Sequence, residues 1–151
     1  MGMQLVNAAN NTFDFSVISW YKVLNLARIC GWVPAGTTAP EDWDCEEEAW
    51  DGRYHTNYGQ WVSTADALGI AAALQAGLDD IPDVEVGEQP MPIKRITQPN
   101  GDTLELFNGD PFTEMNRRLT QSPIEYFSGA NGKTLIGEFA EFCREGGFNI
   151  W

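Results

Sequence analysis

Residues 63–82, STADALGIAAALQAGLDDIP, constrain the chain more than any other stretch, because their pattern reads only as a helix. At 100° per residue, Ala67, Ile70, Ala71, Leu74, Leu78 and Ile81 fall on one face. Ser63 stands at the N-cap position, and Asp66 three residues on resembles the acidic partner of a capping box, where Glu or Gln is usual. Pro82 ends the run. A helix with one apolar face must bury it against other elements, so the rest of the chain is read for partners.

Residues 16–32, SVISWYKVLNLARICGW, supply one. Val17, Trp20, Val23, Leu24, Ala27 and Cys30 share a face, while Ser19, Lys22, Asn25 and Arg28 spiral round the other, interrupted by Ile18, Tyr21, Leu26 and Ile29. Apolar bulk on both sides predicts a central helix. Ser16 is its N-cap, Gly31 suits the left-handed position beyond its end, and Pro34 blocks continuation. A third helix is predicted in GKTLIGEFAEFCREGG, with Leu135, Ile136, Phe139, Phe142 and Cys143 inward and Glu138, Glu141, Arg144 and Glu145 outward. Gly146 and Gly147 stop it, and FNIW finishes as a short strand. In IKRITQPNGDTLELF, two β-branched runs flank Pro-Asn-Gly-Asp, which predicts a β-hairpin. Asp110 with Pro111 starts a helical run through Phe112, Met115 and Leu119, and Ser122 with Pro123 repeats that signal for a short IEYF turn. Without βαβ alternation or an internal repeat, the expected fold class is α+β and helix-dominated, with about three main helices plus one β-hairpin. Residues 1–151 read as a single domain, with a loop-rich acidic and aromatic segment at 34–62 and a surface connection at 82–92.

Charge narrows the function classes. Twenty-two Asp plus Glu against nine Lys plus Arg give a net −13, which repels phosphate backbones and anionic membranes. No nucleic acid and no membrane partner is expected; a basic protein or cations suit the charge better, unless it serves solubility alone. No stretch approaches the roughly 20 apolar residues of a membrane span. MGMQLVNAANNTFDFS has neither a basic n-region nor an apolar h-region, and Val6 occupies the Ser/Thr position of a myristoylation signal. Cys30, Cys45 and Cys143 are odd in number and widely spaced. A cytoplasmic protein with reduced thiols is expected.

Three motifs fail on their chemistry. GANGKT at 129–134 has Phe127 where a phosphate-binding loop needs its first glycine, so it reads as a turn and helix start. EDWDCEEEAWD at 41–51 is acidic at seven of eleven positions. Asp42 and Asp44 alternate like calcium ligands, but Glu46 takes the next ligand place and Glu47 stands where the glycine turn belongs. It reads as a solvated charge run. His55 is the only histidine, which removes multi-histidine zinc sites; Cys45 lies among Asp44, Glu46 and Glu47, whose charge disfavours a thiolate; no G-x-S-x-G elbow occurs. No catalytic residue, metal ligand or cofactor site is assigned, although a pair of carboxylates could in principle serve an acid-base role.

WDGRYHTNYGQWVS at 50–63 remains the densest chemistry, and four of six tryptophans, Trp32, Trp43, Trp50 and Trp61, lie between the first two predicted helices. Rings with a polar tip suit interfaces and sugar-stacking clefts, and they equally pin a long loop to a core. Asn57 and Gly59 are turn formers leading into the capped helix. ARICGWVPAGT, WDGRYHTNYGQWVSTADALGIAAAL and EFAEFCREGGFNIW together resemble a group of small bacterial proteins of unknown function. That group carries Gly-Trp-x-Pro-x-Gly-Thr, Asn-x-Gly-Gln, a helix rich in Ala and Leu, and Phe-Cys-x-x-Gly-Gly-Phe. The resemblance implies a bacterial cytosolic protein and carries no activity with it.

Two functions are compatible with these residues. The leading expectation is a protein-interaction module, inhibitor- or immunity-like, meeting a basic partner through Asp42, Trp43, Asp44, Glu46, Glu47, Glu48, Trp50, Asp51 and Trp61. The alternative is a small-molecule or carbohydrate cleft, with hydrolysis open to it, built on Trp50, Asp51, Tyr54, His55 and Asn57. A cation-stabilised acidic loop is a third reading, and oligomeric state is not specified.

Overall fold

The computed structural model describes residues 2–44, 49–86, 93–97, 99–107 and 120–151. Its strands are β1 (Gly2–Asn7), β2 (Thr12–Ser16), β3 (Gln60–Val62), β4 (Ile93–Thr97), β5 (Thr103–Phe107) and β6 (Phe148–Ile150). Its helices are α1 (Val17–Ile29), α2 (Thr64–Gly77), the single turn α3 (Pro123–Tyr126) and α4 (Ala130–Arg144). The α+β, helix-dominated class holds, with three long helices among the described residues.

The predicted hairpin is β4 with β5, paired antiparallel from Ile93 opposite Phe107 to Thr97 opposite Thr103. A larger sheet was not anticipated. Four antiparallel strands run in the order β2, β1, β6, β3, so the FNIW segment is an inner strand between β1 and β3. Leu5 stands opposite both Phe13 and Ile150, and Val62 opposite Phe148. The alternation along β1 buries Met3, Leu5 and Asn7 and exposes Gly2 and Gln4, which gives the sheet one core face. That face carries Phe13 and Phe15 against Phe139 and Phe142 of α4 and Trp20 of α1, with Phe15 edge-on to Phe139 at 4.9 Å between centroids. Such pairs add about 0.5–1.5 kcal/mol each beyond their buried area.

Helix termini follow their local signals. Ser16, Ser63 and Ser122 each accept the amide of the residue three positions on. Gly31 takes φ +111°, and the amides of Gly31 and Trp32 close α1 onto the carbonyls of Arg28 and Ala27. Two details of the α1 pattern differ. Val17, assigned inward, is 37% exposed, and Leu26, assigned among the interruptions, is buried. α1 contacts β2, α2 and α3, so its buried arc is wider than one stripe. The Asp66 capping box is also only half formed: its amide meets Ser63 Oγ at 3.1 Å, but its carboxylate turns into the protein. The Asp110 to Leu119 helix start and residues 87–92 of the connection lie outside the described residues.

Removing the ring at the centre of this core tests the packing. Phe139→Ala should cost about 3–5 kcal/mol in urea unfolding followed by circular dichroism. Val17→Ala, despite its place in the sequence pattern, should stay within about 0.5 kcal/mol.

Candidate functional site

Residues 32–44 and 49–59 have little regular structure, so their backbone groups need partners of other kinds. Asp66, in the first turn of α2, provides for much of this. Its Oδ1 accepts Trp32 Nε1 at 2.8 Å and the Ala35 amide at 3.2 Å, and its Oδ2 accepts the Tyr54 hydroxyl. Tyr54 Oη in turn accepts the Gly36 amide at 2.8 Å. Trp20 Nε1, deep in the core, reaches the Tyr54 carbonyl at 2.7 Å. A carboxylate 4% exposed with no ion pair among the described residues survives on these donors. Burial first, and then the hydrogen bond to Asp66, push the Tyr54 hydroxyl well above the ordinary tyrosine range, so it stays protonated as the donor.

The two arms of the segment also lock to one another. The Thr37 amide and hydroxyl meet the carbonyls of Gly52 at 3.0 Å and Arg53 at 2.6 Å, and Trp50 Nε1 reaches the Thr37 carbonyl at 2.9 Å. Gly52, at φ +76°, crosses so close to Gly36 that an added Cβ would lie 3.1 Å from the Gly36 Cα. Further along, fully buried Gln60 receives the Tyr58 amide at 3.0 Å and donates to Thr56.

Two surface features result. The first is an aromatic cluster. Trp43 stands edge-on to Trp50 at 5.0 Å and stacks with Tyr58 at 6.1 Å, and the Arg53 guanidinium lies 5.8 and 5.2 Å from the Trp43 and Trp50 centroids. Asp51 bonds Arg53 at 2.7 Å, which holds the Asp51 carboxyl below the usual range. Glu41, Asp42 and Asp44 are exposed beside this cluster and make no ion pair among the described residues. The second feature is a cleft of about 550 Å³ between α1 and the two arms, lined by Tyr21, Arg28, Pro34, Asp51, Tyr54 and His55 among others.

The residues singled out by sequence therefore divide. Asp51, Tyr54 and His55 meet at the cleft, while Trp50 and Asn57 are not among its lining. Trp50 belongs to the aromatic cluster and Asn57 is exposed. Trp61, half-buried, sits in β3 and pairs with Thr38 through both backbone bonds. Cys45, Glu46, Glu47 and Glu48 lie outside the described residues. Asp66, Trp32 and Arg28 are not among the site residues expected from the sequence. Asp66 carried a signal nonetheless: four residues before Ile70, it is a charge on an apolar helix face.

Other chemistries find little footing. Burial, with the Asp80 charge, raises the Cys30 thiol, and burial raises Cys143 further, so neither is a ready thiolate. Lys133 of GANGKT pairs with Asp83 at 3.0 Å. Among the described residues no group of three or more His, Cys, Asp and Glu gathers as metal ligands, and no helix is long and apolar enough to cross a membrane. Comparison with protein-family models, curated proteins and solved structures finds no match.

The Asp66 cluster makes two expectations. Asp66→Ala, which strands three donors, should cost about 3 kcal/mol, and Asp66→Asn, which keeps an acceptor, about 1–2 kcal/mol, by urea unfolding. Folding raises the Tyr54 pKa, so the stability it contributes is present below the unfolded value near 10 and is lost as pH rises beyond it. Wild type should therefore lose more stability than Tyr54→Phe between pH 8 and pH 11, about 1 kcal/mol or more per unit above 10. Parallel urea midpoints for the two proteins would show it.

Proposed function

We propose that the protein is an interaction module that holds a basic protein partner through the acidic, tryptophan-rich region of residues 41–61. The observation that carries this reading is the set of exposed carboxylates, Glu41, Asp42 and Asp44, without ion pairs among the described residues and beside an ordered ring cluster. Carboxylates whose charge is not used within the chain steer an oppositely charged surface toward them. Glu46, Glu47 and Glu48 add to that charge by sequence alone.

The rings supply what charge does not. Trp43 and Trp50 are half-buried and held by Arg53 and Thr37, so binding them costs little further ordering. A hollow of about 340 Å³ opens between Pro40, Trp43 and Tyr58, with Asp42 on its lining and Arg53 balanced by Asp51. A lysine or arginine side chain from a partner fits such a hollow, its stem on the rings and its charge toward Asp42. Inhibitor or immunity proteins that cover a basic enzyme are one setting for this chemistry.

Affinity capture from a native bacterial lysate, washed at low and then high salt, tests the reading. Wild type should retain a basic protein at low salt and release it at high salt. Asp42→Lys with Asp44→Lys should lose that protein by roughly tenfold or more at unchanged helical circular dichroism, since both positions are exposed. Equal recovery by the reversed variant, or no basic protein in either eluate, would overturn it.

A further inference from the structure

Cations in this chain are few, nine against twenty-two acids, and most of those described are visibly taken. Arg53 meets Asp51 at 2.7 Å, Lys133 meets Asp83 at 3.0 Å, and Arg144 meets Glu141. Arg28 differs. It is exposed near the end of α1 and makes no hydrogen bond or ion pair among the described residues; its guanidinium lies 6.0 Å from the Trp32 centroid and its charge also acts on the Tyr54 hydroxyl. Trp32 is itself fixed through Nε1 to Asp66, so the arginine rests on an immobile ring. Its unused donors border the 550 Å³ cleft.

The opposite resources of that cleft are planar and apolar. Tyr21 and His55, both exposed, stack with centroids 6.2 Å apart and planes at 21°. Leu24 and Pro34 add apolar lining, and Asn25 a further amide. With Arg53 neutralised by Asp51, Arg28 is left as the cleft's uncompensated charge, a single positive fork in a protein of net −13. A guanidinium fork matches one carboxylate bidentately, whereas a dianionic phosphate would carry a second charge against the overall negative field.

We propose that this cleft binds a small, planar organic carboxylate, its carboxylate on Arg28 and its body against the Tyr21 and His55 rings. The site is distinct from the Trp43 and Asp42 hollow and does not depend on a protein partner. Arg28 lies one turn beyond Leu24 and Asn25 on α1, and His55 follows directly after the core-anchored Tyr54, so both sides of the cleft are positioned by buried neighbours.

Benzoate serves as the probe, benzamide as its uncharged counterpart and inorganic phosphate as the competing anion. Because His55 is the only histidine, its imidazole protons are a single-site NMR reporter. At fixed pH and ionic strength, benzoate should shift the His55 signals saturably. Benzamide should act roughly tenfold more weakly, as should benzoate on Arg28→Gln, with Tyr21→Ala also weakened. Circular dichroism and the unfolding midpoint should be unchanged in Arg28→Gln, since the position is exposed. Absence of a saturable shift, equal affinity for benzamide, full affinity in Arg28→Gln, or saturation by phosphate but not benzoate would overturn the proposal.

Discussion

The Asp66 carboxylate is the point on which the irregular segment between α1 and β3 depends. A negative charge out of water is costly, and here the cost is met by an indole, a phenol and a backbone amide. Those donors come from Trp32 and Ala35 on one arm and Tyr54 on the other, so one side chain at the start of α2 holds both arms. The hydroxyl of Tyr54 then passes the constraint on to Gly36, and its carbonyl passes it to Trp20 in the core. Both surface features, the ring cluster and the cleft, stand on a frame made rigid in this way.

Much of the fold was legible. Periodicity located the long helices, serine signals located the starts of α1 and α2, and Pro-Asn-Gly-Asp located the hairpin, because these are local effects of backbone geometry; the end of α2 was displaced, since a 3-10 turn at Leu78–Asp80 takes over before Pro82. The four-stranded sheet was not legible, because its strands come from three distant parts of the chain. A three-residue strand such as Gln60–Val62 offers too few residues for alternation to register. Its identity depends on Phe148–Ile150 lying alongside, which is a tertiary fact.

The site was legible in part, for a related reason. Crowding of polar and aromatic residues at 50–61 marked the correct neighbourhood, since a loop without secondary structure must find side-chain partners. Which residues converge was hidden. Trp50 and His55 are five positions apart, yet one joins the ring cluster and the other the cleft, because Arg53 and Tyr54 between them turn to opposite tasks. Arg28 was hidden more deeply, its role arising from a helix end meeting a loop. The tryptophans show that pinning a loop and presenting a surface are compatible: Trp32 does the first, while Trp43 and Trp50 do both.

The place of β6 has a bearing on how the molecule is made. β1 and β2 can pair as soon as they emerge, being joined by a short turn, but β3 has no partner strand in that hairpin. Only when residues 148–150 arrive do the two halves become one sheet, with Ile150 meeting Leu5 on one side and Gln60 on the other. During vectorial synthesis the two halves of the sheet therefore stay apart until residues 148–150 have been made. A ribosome paused before that segment would hold an assembly with its sheet still divided, and acidic surface charge would be its main protection against sticking to its neighbours.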